Sequence, residues 1–87
     1  MKRRYFPVLI DELDTRARAI WEKVLGTEVD GATDFFDVGG HSFMAMQIMA
    51  MLEELCDCPL PMSILFDHSR FDEFVAALAD ELGTGAK

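Results

Sequence analysis

The sequence predicts an all-α fold, a small bundle of three main helices plus one short helix. Three observations carry that reading. Apolar residues recur at helical spacing in separate stretches, and no segment alternates as a half-buried strand would. A length of 87 residues leaves room for one domain, 1–87, around one core spanning about 10–82. At 51% hydrophobic and 28% charged, the composition is that of a globular chain and not of a disordered one.

The first stripe is Ile10, Leu13, Ala17, Ile20, Trp21 and Val24. Asp11 can cap its start, and Gly26 follows as its stop. A second helix runs from Ser42 to about Cys56, rich in Met, Leu and Ala with no internal Gly or Pro. Cys58-Pro59-Leu60-Pro61 then interrupts it, because each proline disfavours helix at the residue before. Met62 to Phe66 makes a short helical turn that sets Ile64, Leu65 and Phe66 over the core. The last stripe is Phe71, Phe74, Val75, Leu78, Ala79 and Leu82, with Ser69 as its N-cap and Gly83 as its stop. Residues 27–41 form a long connection containing Gly31, Gly39 and Gly40. A loop of that length in a small domain is functional or internally packed, and Phe35 and Phe36 are its candidate anchors to the bundle.

Charge is unevenly placed. The net charge is −8, yet the stretch from Val24 to Ser69 contains no Lys or Arg. It holds Glu28, Asp30, Asp34, Asp37, Glu53, Glu54, Asp57 and Asp67, while the flanks cancel, so the whole excess lies in this middle stretch. The balance argues against nucleic acid or anionic lipid as partner and predicts a basic partner surface. No apolar run reaches the ~18 residues of a membrane span. Met-Lys-Arg-Arg-Tyr-Phe-Pro lacks an apolar stretch of signal-peptide length before Asp11-Glu12, so a cytoplasmic location is expected. A disulfide between Cys56 and Cys58 would close a strained, tiny ring, and a metal would need His41 and His68 at a spacing that matches no common zinc pattern. Reduced thiols and no metal are expected.

The second helix does not read as a simple surface helix. With successive residues 100° apart, Ala45, Ile48, Met49, Leu52, Leu55 and Cys56 share a core face. The opposite face carries Phe43, Met46, Gln47 and Ala50, where polar residues belong. A four-helix domain of this size can hardly bury one helix on all sides. The pattern fits a face kept apolar for partners, with methionines supplying adaptable contacts.

Asp37-Val38-Gly39-Gly40-His41-Ser42 delivers a serine to the start of that helix. Three readings of Ser42 stand open. It can be an N-cap, the commonest role of a serine before a helix. It can be a covalent attachment point, where a phosphoryl group would lie beside unpaired helix N–H groups at the positive end of the dipole. A hydrolase nucleophile is the third, disfavoured because Gly-His-Ser-Phe lacks the second glycine of the nucleophile elbow and no strand precedes it. His41 reads as a solvated loop residue.

Asp34-Phe35-Phe36-Asp37-Val38-Gly39-Gly40-His41-Ser42-Phe43 resembles the signature of the peptidyl carrier (thiolation) domains of nonribosomal peptide synthetases. Ile20 to Leu25 resembles the first helix of that family, and Pro61 to His68 its third-helix segment, so the resemblance covers about residues 10–82. The chain departs from the pattern at Thr33, Val38 and Phe43, and its second helix has no basic residue after the serine. The resemblance implies an acyl-carrier-like four-helix bundle with 4′-phosphopantetheine attached at Ser42 from coenzyme A. It implies no catalysis by the chain itself, which would be a substrate of a phosphopantetheinyl transferase and an adenylating enzyme. An aminoacyl, peptidyl or aryl thioester would be its cargo, passed on to condensation, tailoring or thioesterase enzymes. Val38, Phe43, Met44, Met46 and Gln47 would be read by these partners in turn. A monomeric, free-standing carrier is expected; a non-catalytic helical interaction module, with Ser42 only a cap, is the alternative.

Overall fold

The computed structural model describes residues 10–83. The reading placed on Met1–Pro7 lies outside the described residues, as do the side chains of Ile10 and Asp11. Four helices follow in order: α1 (Ile10–Leu25), α2 (Ser42–Cys56), α3 (Ser63–Asp67) and α4 (Phe71–Leu82). α1 packs against both α2 and α4, and α3 packs against α4. Among the described residues the only β pairing is one isolated antiparallel bridge between Asp34 and Arg70.

Helix ends follow the sequence at the C-terminal side. Gly26 and Gly83 adopt left-handed φ of 73° and 75°, and the Gly26 N–H closes the last turn of α1 on the Glu22 carbonyl at 2.8 Å. Asp57 takes the same left-handed role after α2, its N–H reaching the Glu53 carbonyl at 2.7 Å. The N-terminal assignments need correction. α1 begins at Ile10, so Asp11 lies within its first turn and is not the N-cap. The N-cap of α4 is Arg70, not Ser69, and no side chain caps that helix. Its first N–H groups are satisfied from the long connection instead: Phe71 donates to the Thr33 carbonyl (2.8 Å) and Asp72 to the Gly31 carbonyl (3.0 Å).

The core centres on Trp21, wholly buried in α1. Phe35 of the connection and Phe71 of α4 meet it edge to face at centroid distances of 5.8 and 5.0 Å, and Phe74 lies at 5.2 Å. Leu13, Ala17, Ile48, Leu52, Leu65 and Leu78 complete the buried set. Two residues placed on the core by periodicity are half-exposed: Leu55 on α2 and Phe66 on α3. On α2 the buried arc runs from Ile48 to Met49, and Leu55 falls about 20° beyond its edge. It lines the rim of the α1–α2 seam with Ile20 and Met51. On α3, five residues give one turn, which offers Ile64 and Leu65 to the core and no face for a third side chain.

Candidate functional site

The connection between α1 and α2 positions Ser42 without regular secondary structure. Its first part is an Asx turn: the Asp30 carboxylate accepts the Ala32 N–H at 2.9 Å, and the Thr33 hydroxyl accepts the Asp30 N–H at 2.9 Å. Glu22 accepts the Val29 N–H at 2.9 Å and so ties the same segment to α1. Next, Phe35 drops its ring into the core, and its N–H pairs with the Ser69 carbonyl at 2.8 Å. The chain then coils back over Phe35. Val38 N–H reaches the Asp34 carbonyl (3.2 Å), Gly39 the Phe36 carbonyl (3.2 Å), and Gly40 the Phe35 carbonyl (2.9 Å). Of the Phe35-Phe36 pair one ring anchors. Phe36 is about half exposed and packs edge-on against Phe35 at 5.1 Å.

The two glycines have separate reasons. Gly39 holds φ at +95°, which side chains rarely adopt. A Cβ on Gly40 would stand 2.5–2.6 Å from the tip of the buried Phe35 ring. Gly40→Ala is therefore expected to lower stability by about 1–3 kcal/mol through overpacking, read as an earlier midpoint in urea unfolding. A midpoint equal to the parent's would show that the ring moves aside freely.

Ser42 is the first residue of α2 and is exposed. The N-cap position belongs to His41, which is extended (φ −145°, ψ 179°) and gives no side-chain cap bond. The Ser42 hydroxyl makes no hydrogen bond to any described residue, so the cap reading is set aside. No bond to exposed His41 activates it as a nucleophile either. The start of α2 differs from that of α4. The α4 N–H groups are taken by loop carbonyls and its first turn carries Asp72 and Glu73, whereas α2 has no acidic residue in its first turn and its backbone ladder begins at Ala45 N–H to His41 C=O. A phosphodiester on Ser42 would meet free N–H groups and no repelling carboxylate, so the residues present fit that group.

Around Ser42 lie exposed apolar side chains. Phe43 is 62% and Met46 55% exposed, with Val38 and Gln47 also at the surface. Met44 is half-buried against the core, so it offers less to a partner than its position suggested. Phe36, a candidate anchor from the sequence, instead stands half exposed beside this surface, since two adjacent side chains in a tight turn seldom both point inward. Of the eight carboxylates in the base-free stretch, Asp30, Asp34 and Glu53 already accept backbone N–H bonds. Glu28, Asp30, Asp37, Glu54, Asp57 and Asp67 are exposed.

Both cysteines are free thiols; burial pushes Cys56 up to about 11 and also raises Cys58. Among the described residues no cluster of His, Cys, Asp and Glu could hold a metal ion, and no helix is long and apolar enough to cross a membrane.

A four-helix bundle that holds one unbonded serine at the open start of its second helix has the architecture of a carrier domain. The chain belongs to the family described as "Phosphopantetheine attachment site", which matches residues 15–84 and whose members carry that group covalently. It is 38% identical over 60 residues to gramicidin S synthase 2 of Brevibacillus brevis, covering 68% of this chain and 1% of that protein. The chain thus spans about one hundredth of that relative. Among solved structures it is similar to BlmI, a type-II acyl carrier protein of Streptomyces verticillus involved in bleomycin biosynthesis, with a TM-score of 0.79 and 28% identity over 84% of this chain and 89% of BlmI. It also resembles a peptidyl carrier protein solved with the phosphopantetheine transferase Sfp and coenzyme A, with a TM-score of 0.69 and 30% identity over 83% and 90% of the two chains.

Proposed function

We propose that Ser42 is the residue that takes 4′-phosphopantetheine from coenzyme A, and that the chain carries an aminoacyl, peptidyl or aryl group in nonribosomal peptide or related biosynthesis. The observation that carries this is the exposed Ser42 hydroxyl, bonded to nothing described, at a helix start that no side chain caps and no acid crowds. When bound, the arm supplies a thiol on which the acyl group rides as a thioester. The chain's own part is to hold Ser42 out and to offer a surface that partners grip and release. It acts as a substrate and carrier, not as a catalyst, for a transferase, an adenylating enzyme and downstream condensation, tailoring or thioesterase enzymes in the cytoplasm. Tethering raises the effective concentration of the cargo at each partner's active site. Incubation with coenzyme A and a broad-specificity phosphopantetheinyl transferase is expected to add the mass of one arm, and no added mass would refute the reading.

The partner surface is proposed as Phe36, Val38, Phe43, Met46 and Gln47, with Met44 at its edge. Met46→Glu is expected to leave the far-UV circular dichroism and thermal midpoint nearly unchanged, since Met46 is mostly exposed. It should raise the KM for the transferase by about fivefold to thirtyfold, the worth of one well-packed contact of 1–2 kcal/mol. An unchanged KM would remove Met46 from the docking surface. The exposed carboxylates of the base-free stretch suit a partner with a basic surface. The kcat/KM of modification is therefore expected to fall as salt rises from 0.05 to 0.5 M, and indifference to salt would reduce these charges to a role in solubility.

A further inference from the structure

The Asp34 carboxylate is the most heavily bonded acid among the described residues. One oxygen, Oδ1, accepts the N–H groups of Phe36 (2.9 Å) and Asp37 (3.2 Å). The other, Oδ2, accepts the hydroxyl of Ser69 at 2.9 Å, across 35 positions of sequence. Ser69 is free for this because α4 takes its cap position at Arg70 and its first N–H partners from the loop. The Ser69 hydroxyl, with the two amides, holds Asp34 below its ordinary range, so the ionised form is the one bound.

What these bonds control follows from what surrounds them. Phe36, Asp37, Val38 and Gly39 are all exposed, and Phe35 is the one side chain of the turn sunk in the core. Burial therefore fixes Phe35 and, through the Gly40 backbone resting on its ring, the far end of the turn, but not the exposed residues 36–39 between them. Hydrogen bonds set that intervening stretch. Two backbone bonds hold the chain beside Asp34 on the α3–α4 connection, from Phe35 N–H to Ser69 C=O and from Phe71 N–H to Thr33 C=O, both at 2.8 Å. The carboxylate then reaches forward to the turn, which closes through Gly39 and Gly40 immediately before His41 and Ser42. A mechanical path thus runs from the α3–α4 connection through Asp34 to the serine.

We infer that Asp34 is a positioning residue for Ser42: bonded to Ser69 behind and to the Phe36 and Asp37 amides in front, it fixes the turn that presents the serine to the transferase. This rests on the reading of Ser42 as the attachment residue. It separates two roles at the surface, since docking side chains govern how well the carrier is gripped and Asp34 governs where the hydroxyl sits once it is gripped. The chemistry of the side chain supplies the control. In Asp34→Asn the amide oxygen can still accept from Phe36 and Asp37, and the amide N–H₂ can donate to the Ser69 oxygen. Asp34→Ala removes every bond.

The test measures transferase kinetics on Asp34→Ala, Asp34→Asn and Ser69→Ala, each shown folded by circular dichroism and assayed well below its thermal midpoint. Asp34→Ala is expected to lower kcat about tenfold with little change in KM, because a misplaced hydroxyl costs rate while the docking face is intact. Asp34→Asn should recover most of that loss. An unchanged kcat in the folded alanine variant, or an asparagine variant as slow as the alanine one, would overturn the inference. A second readout needs no arm. Amide hydrogen exchange at Phe36 and Asp37 should speed up several-fold in Ser69→Ala, and equal exchange would refute the linkage while leaving Ser42 as attachment residue untouched. A parent chain that takes up no arm would instead fell the reading of Ser42, and the presentation role with it.

Discussion

Ser42→Ala is expected to abolish uptake of the phosphopantetheine arm and to leave folding stability within about 0.5 kcal/mol of the parent chain. The first half follows from chemistry. The transfer forms a bond from the serine oxygen to the pantetheine-bearing phosphorus of coenzyme A while the diphosphate P–O bond breaks, adenosine 3′,5′-bisphosphate leaves and the hydroxyl proton passes to the transferase or solvent; alanine has no oxygen to make that bond. The second half follows from geometry and separates the readings of the residue. A serine that capped α2 would lose about 1 kcal/mol on replacement by alanine. Here the cap position is His41, and the Ser42 hydroxyl bonds to no described residue, so no cap is lost. Alanine is also the better helix former at a position within α2. Intact mass after incubation with transferase and coenzyme A measures the first effect, and urea unfolding the second. Arm uptake by the alanine variant would move the attachment site elsewhere. Loss of a full kilocalorie would restore the cap reading of Ser42.

The helices were legible in the sequence because their determinants are local. Leu13, Ala17 and Trp21 repeat on one face of α1, and all three are buried. Gly26 and Gly83 mark ends because left-handed backbone is inexpensive only there. The outward apolar face of α2 was equally visible, since Phe43 and Met46 stand where a surface helix is polar. The misread residues depend on partners distant in sequence or on packing edges. Nothing near Ser69 says that its hydroxyl serves Asp34, so a serine before a helix reads as a cap. Leu55 misses the core because the buried arc of α2 is set by where α1 lies across it, which periodicity does not specify.

The same distinction applies to charge. Eight acids without a base between Val24 and Ser69 read as a field facing a partner. Part of that field is internal scaffolding. Glu53 accepts the Leu60 N–H at 2.9 Å where the prolines have broken the helix, and Asp30 and Asp34 shape the connection before Ser42. A carboxylate that accepts N–H groups keeps its charge, so the salt effect proposed above draws most on the six exposed acids, Glu28, Asp30, Asp37, Glu54, Asp57 and Asp67.

Trp21→Ala carries the largest expected cost in stability, about 3–5 kcal/mol. A domain of this size has a total of roughly 4–13 kcal/mol, so the variant loses about a quarter or more of its stability and should unfold at a much lower urea concentration than the parent. The loss reaches beyond one side chain because Trp21 is where α1, the connection and α4 meet: Phe35, Phe71 and Phe74 all pack against its ring. Phe35 is also the floor on which Gly40 rests, so a cavity at Trp21 loosens the turn that leads to Ser42. Trp21→Phe separates packing from polarity. The indole Nε1 is buried with no hydrogen-bond partner among the described residues, a group whose burial costs about 1–3 kcal/mol. Phenylalanine removes that cost while keeping an aromatic ring against three others, so its smaller volume is largely offset and the net change should stay below about 1.5 kcal/mol. Chemical unfolding of both variants measures the contrast. Equal losses for Phe and Ala would mean that the indole N–H is bonded, and that a hydrogen bond, rather than ring packing, joins the three elements behind the serine.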